Sequence, residues 1–196
     1  MLHLTFNDDA DELLTREPFA LLVGMLLDQQ FPMERAFAGP KLLAERLGTP
    51  DSLRPELIVA TSDEKLLEFA KGPPAIHRYP GSMAGRVQAL AVVVVDQYEG
   101  DASNIWTSAP GGKAALKNLL ALPGFGEAKA KIFLALLGKQ LGQAPRGWQA
   151  ASSPYGKSGT TMSIADVTSP DSLLAVRAWK QAKKAKLKAQ PLPRVQ

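Results

Sequence analysis

The chain has 196 residues, 45% hydrophobic and 21% charged, with a net charge of +4; that is the make-up of a globular protein with one sizeable domain or two small subdomains on a shared core. It has no cysteine and only His3 and His77, which excludes disulfides, thiolate zinc sites and a cysteine-held iron–sulfur cluster and argues against a histidine-rich metal site. The charge is segregated: seven Lys or Arg and no acid lie from Arg177 onward, leaving 16 basic against 19 acidic side chains before it, about −3.

The opening MLHLTFNDDADELL is acidic and lacks the basic start of a secretory signal, and the apolar run ALAVVVV at 89–95 is too short to span a bilayer. A cytoplasmic protein without a membrane partner is expected. Residues 8–16 begin with acids, which suits a helix N-terminus. PFALLVGMLLDQQ, 18–30, has proline in its first turn and is apolar nearly all round, predicting a buried helix that Phe31-Pro32 ends. Residues 33–48 predict a third helix, capped by Gly48, with a kink or early turn at Pro40. Shorter helices are predicted at 51–60 and 63–70, the second capped by Ser62 or Asp63, followed by a loop over 72–82. From Met83 apolar residues return at helical spacing. The AVVVVD stretch also fits a buried strand, but no partner strand is evident, which favours helix. Two more helices are predicted at 112–121 and 126–141. Residues 142–163 are rich in Gly, Pro, Ser and Thr, a loop long enough to be functional or disordered. A last helix starts near Ser169-Pro170-Asp171, with Asp171 as its cap, and 189–196 is expected to fray. The predicted fold class is all-α.

LPGFGEAKAK, 122–131, breaks what could have been one long helix. Gly124 and Gly126 bracket Phe125 and permit a close approach of backbone to a ligand. The helix that follows starts with unsatisfied amides and no bulky side chains, an arrangement that binds anions, phosphate above all. Phe125 is expected to turn inward as the anchor of the turn, with Lys129 and Lys131 able to approach a phosphate chain. The basic end adds counterion release on a polyanion, or is only a solvated tail.

LPGFGEAKA resembles the hairpin of the helix-hairpin-helix (HhH-GPD) superfamily of base-excision DNA glycosylases. LLVGMLLDQQ, 21–30, is similar to the superfamily's early helix with its Gln-containing turn, and GSMAGRVQALA to the helix leading toward the hairpin. Together the likeness runs from about residue 17 to 142 and implies a divergent, cluster-free member. Its fold would be two packed helical subdomains, with one domain over 1–182, the hairpin at 116–138 and a basic tail at 183–196. The resemblance implies that Gly124, Phe125, Gly126 and Lys129 bind the DNA backbone. It implies that the carbonyls of Leu120, Leu122 and Phe125 can hold a monovalent cation, K+ or Na+. Gln30 falls at the wedge that fills the gap left by a flipped nucleotide, with Gln29 beside the orphaned base; a polar helix end is the plainer reading of both. The implied partner is double-stranded DNA containing a damaged base, met by a monomer at the nucleoid without redox cofactor.

Glycosidic cleavage passes through an oxocarbenium-like transition state that a carboxylate stabilises. Members that also cut the backbone carry a lysine two residues after the second hairpin glycine. Ala128 stands there, and Lys129 is one position on, about 100° round the helix, so a monofunctional enzyme without lyase activity is expected. The superfamily's aspartate falls roughly twenty residues beyond the hairpin, at Pro145-Arg146-Gly147, and no acid occurs between Glu127 and Asp166. Either an expanded loop delivers Asp166 as the catalytic carboxylate, or that group is missing and the chain only binds DNA. Asp166 could instead cap the next helix, and Asp28 is a further candidate. Trp148 and Tyr155 suit stacking on an extruded base or pinning of the long loop. His77, Arg78 and Tyr79 are candidate phosphate contacts or plain surface, and Trp106 is expected in the core. A helical protein whose basic C-terminal helix docks a partner or RNA is the remaining alternative.

Overall fold

The computed structural model describes the backbone of residues 1–189 and side chains through residue 186. The expectations for 190–196, including Arg194, and for the Lys188 side chain lie outside that range. Among the described residues the chain is all helical: α1 Asp8–Arg16, α2 Pro18–Leu27, α3 Met33–Arg46, α4 Pro55–Ala60, α5 Asp63–Lys71, α6 Pro80–Tyr98, α7 Asn104–Thr107, α8 Gly112–Leu120, α9 Glu127–Leu136, α10 Trp148–Ala151 and α11 Pro170–Ala189. No helix among these residues is long and apolar enough to cross a membrane.

Hydrophobic pattern and caps account for most of this. Helix α2 is buried on all sides, from Phe19 through Leu27, and packs against α1, α3 and α6. Asn7 caps α1 and Ser62 caps α5, each accepting an N–H of its own first turn. Proline at the first position starts α2, α4 and α6, which is why α4 begins at Pro55 and α6 at Pro80, later and earlier than expected. The valine-rich run is helical, inside α6. Helix α3 continues through the buried Pro40 and ends at Arg46. Helix α2 stops three residues earlier than predicted: Asp28 leaves the helix with ψ 72°, Gln30 takes a left-handed φ of 52°, and Phe31 precedes a proline that disfavours helix.

Helices α8 and α9 pack on each other around the turn at 121–126. After Leu136 the helix widens into a π-helical segment, Leu137–Leu141, which holds the long loop by three consecutive residues. The Trp148 indole lies flat on Gly138, where a Cβ would come within 2.3 Å of the ring. Lys139 Nζ donates to Thr160 Oγ1 at 3.1 Å and to Asp166 Oδ1 at 2.6 Å. Gln140 Nε2 donates to the carbonyls of Ile164, Ala165 and Val167. The loop is therefore fastened at both ends, and Trp148, half-buried, is the pin at one of them.

Candidate functional site

Helix α9 begins at a turn with exposed backbone. Gly124, Gly126, Glu127 and Ala128 are all exposed. Phe125 N–H donates to Leu122 C=O at 3.1 Å, and the first helical bond runs from Ala130 N–H to Gly126 C=O at 2.9 Å. The amides of Gly126, Glu127, Ala128 and Lys129 have no acceptor among the described residues, and no side chain caps them. Gly124 needs its glycine twice over: φ is +78°, and a Cβ would fall 2.5 Å from Leu26 Cδ1. Phe125 is 5% exposed and stacks edge-on against Phe133 with centroids 6.0 Å apart. Its ring anchors the turn, leaving only its main chain for an outside ligand. Glu127 is paired with Lys131 at 2.7 Å.

The end of α2 abuts this turn. The Gln29 side chain is committed at both ends: Nε2 donates to Leu26 C=O at 3.0 Å and to Met83 Sδ at 3.3 Å, while Oε1 accepts from Arg86 at 3.2 Å. It holds the turn in place and has little left for an orphaned base. Gln30, by contrast, is exposed in its left-handed conformation. Beneath it lies His77, 1% exposed. Tyr79 N–H donates to His77 Nδ1 at 3.0 Å, so Nε2 carries the proton and donates to Gln29 C=O at 3.0 Å. His77 is therefore a prop for the Gln turn and not a phosphate contact. Tyr79 remains 52% exposed with Arg78 stacked on it. Gln30, Tyr79, Ser82 and Arg86 surround a cavity of about 380 Å³ beside the turn.

Asp166, the expected catalytic acid, is occupied. Its carboxylate accepts from Lys139, from Thr160 Oγ1 and from the N–H groups of Met162 and Ser163, and its side chain is 4% exposed. With Ser163 it closes the capping box of a single 3₁₀ turn, Ile164–Asp166. Nor does it cap α11: Ser169 does, accepting Ser172 N–H at 3.2 Å, and Asp171 only sits in the first turn. Asp166 is a structural residue. Asp166→Ala should cost about 3–5 kcal/mol, because it strands a buried ammonium and two amides; chemical denaturation checks it, and an unfolding free energy within about 0.5 kcal/mol of the parent, the size of an ordinary surface change, would contradict it.

Asp28, the C-cap of α2, has the opposite surroundings. Burial pushes its carboxyl up from the ordinary value, against the pull of Lys180 and Lys129, and Glu34 adds to the rise. No hydrogen bond to the carboxylate from a described residue contributes. Asp28 thus sits where α2, α3, α9 and α11 converge. Arg177 of α11 is bridged to Glu34 of α3 across this junction, and Glu34 Oε2 is buried without a partner among the described residues. Lys129 does not reach outward as expected: its Nζ donates to Leu26 C=O at 2.9 Å. Burial lowers its ammonium from 10.5 to about 8, with Asp28 pulling it up and Arg86 pushing it further down. Because the folded pKa is depressed, the unfolded chain binds more protons between pH 8 and 10.5. Lys129 should therefore make the fold more stable as pH rises through that window, and Lys129→Met should flatten the rise in a melting series; identical slopes would remove the assignment.

No local pattern announces this junction, because Asp28, Glu34, Lys129 and Lys180 belong to four separate helices, α2, α3, α9 and α11, with Asp28 just past the end of the first. Compared with family models and with curated protein sequences, the chain matches none.

Proposed function

We propose that the protein is a DNA glycosylase of the helix-hairpin-helix kind, a monomer of two packed helical subdomains that hydrolyses the N-glycosidic bond of a flipped damaged or deaminated base at the nucleoid. One observation carries this reading: the exposed, uncapped amides at the start of α9 lie against the end of α2, where Gln30 projects and Asp28 is half-buried. The amides take a phosphate, as a helix N-terminus does. Gln30 fills the gap in the duplex. Asp28, in place of Asp166, is the carboxylate that meets the positive charge of the transition state.

The carbonyls of Leu120 and Phe125 accept no main-chain N–H and that of Leu122 accepts one, so all three keep lone pairs that fit a K+ or Na+ ion. Such an ion would add positive charge where the phosphate binds. No redox cofactor enters the reaction. Ala128 offers no amine, and the Lys129 head is turned onto Leu26, which supports hydrolysis without lyase activity.

The test is a panel of duplexes bearing uracil, hydroxymethyluracil, hypoxanthine or alkylated purines, followed by alkali. Strand breaks appearing only after alkali, with no borohydride-trapped adduct, are expected. An abundant adduct would make Lys129 or another amine a nucleophile. The second reading, a non-catalytic DNA-binding protein with the same hairpin, is favoured by the full occupation of Asp166. Duplex binding without release of any base in the panel would select it.

A further inference from the structure

Helix α11 changes character halfway along its inner face. Leu173 and Val176 are buried. The next positions on that stripe, at helical spacing, are Trp179, Lys180, Lys183 and Lys184. A helix that only packed on a core would carry apolar residues there. Instead these side chains wall a groove of about 270 Å³, closed opposite by Ile132, Met162 and Tyr155. Ile132 stands one turn beyond Lys129 on α9. Lys180 is the residue whose charge acts most strongly on Asp28. Lys180 thus belongs both to the wall of the groove and to the charges that reach the candidate carboxylate.

Its chemistry is one-sided. Ile132 and Met162 are apolar, and the aromatic rings suit the flat face of any base. The polar side-chain groups are three ammoniums and the Trp179 indole N–H, donors only, and one phenol that can also accept; no Asp or Glu is among the lining residues. Lys183 lies over one face of the Trp179 indole, 5.0 Å from its centroid, which holds an ammonium donor within the groove.

We propose that this groove receives the extruded nucleotide and selects deaminated bases, those in which a carbonyl has replaced an exocyclic amine. The inference rests on the glycosylase reading above. Uracil and hypoxanthine present carbonyl acceptors to the ammoniums. Cytosine and adenine present an amine at that edge, where the ammoniums can only donate and the Tyr155 phenol is the one lining side chain able to accept; an amine set against an ammonium is left desolvated and unpaired. Alkylated purines that carry a positive charge are repelled by three lysines.

The experiment uses the full chain and duplexes with a single bulged base, so that no pairing energy is spent on extrusion: uracil, cytosine or 7-methylguanine. Bulged uracil should bind about tenfold tighter than either of the others, the cost of one unpaired donor. In the double variant Lys183→Gln, Lys184→Gln that ratio should fall to within about twofold. Equal affinity for bulged uracil and cytosine, or tighter binding of 7-methylguanine, overturns the groove's selectivity. Base release is scored in parallel. Preference for uracil without its release sinks the glycosylase reading and leaves the groove. Release of 7-methylguanine with uracil untouched does the reverse.

Discussion

Asp28→Asn should abolish base excision, leave duplex binding intact and raise the melting temperature. The first effect follows from the transition state. A carboxylate beside the developing oxocarbenium ion stabilises it most where water is excluded, and removing such a group costs about 10²–10³-fold in rate. The third effect separates a site residue from a structural one. The Asp28 carboxyl is held above its ordinary value by burial, so the folded protein binds the extra proton and the unfolded chain does not. Stability from this group is present below the unfolded pKa near 3.8 and is lost as pH rises through the raised value. At neutral pH the ionised form is a cost that asparagine removes. Asp166→Ala is its mirror image, a strong loss of stability from a carboxylate that is fully bonded. Single-turnover excision and a melting scan on Asp28→Asn decide the matter. Near-parent turnover, or a lower melting temperature, would return Asp28 to the role of an ordinary helix end.

Gly126→Asp should strengthen the fold slightly while weakening duplex affinity about 10- to 100-fold, the worth of a charge-assisted hydrogen bond and its reversal. Gly126 has φ −80° and ψ 174°, an N-cap conformation open to any residue. A Cβ there meets nothing within 4 Å. Aspartate is a better cap than glycine by a few tenths of a kcal/mol, on the order seen at other N-caps. Its carboxylate would take the amides that are bare in the parent and would repel a phosphate from them. Gly126→Ala fills the same open space without charge or cap and should bind DNA within about threefold of the parent. Fluorescence anisotropy on a labelled duplex, at fixed salt because affinity of this kind is salt-dependent, measures all three. Parent-like affinity of Gly126→Asp would mean that DNA is held elsewhere.

Much of the helical frame was written locally. Proline at first positions, Asn7 and Ser62 as caps, and the unbroken apolar run of α2 each state their consequence within a few residues. The inward turn of Phe125 and the burial of Trp106 were equally readable. What failed was whatever depends on a partner far along the chain. The fate of Asp166 is decided by Lys139, on a π-helical segment that no periodicity announces. Trp148 pins the loop, one of the two readings open for it, but its seat on Gly138, which has no side chain, is visible only once both are placed. Lys129 had the right position for a phosphate contact by count, yet Leu26 C=O lies within its reach and claims it. Asp28 stood beside the glutamines in plain view; its significance comes from α3, α9 and α11 closing round it.

The claim on which everything rests is that main-chain amides of the α8–α9 turn grip a sugar-phosphate strand. Amide chemical shifts of the isotopically labelled protein, followed as duplex DNA is added, test it without any substitution. The amides of Gly126, Glu127, Ala128 and Lys129 should show the largest downfield movements, saturating together with the Gln30 signals as the complex fills. If those amides stay still while the duplex binds through the lysines of α11 alone, the hairpin is only a turn and the glycosylase reading falls with it.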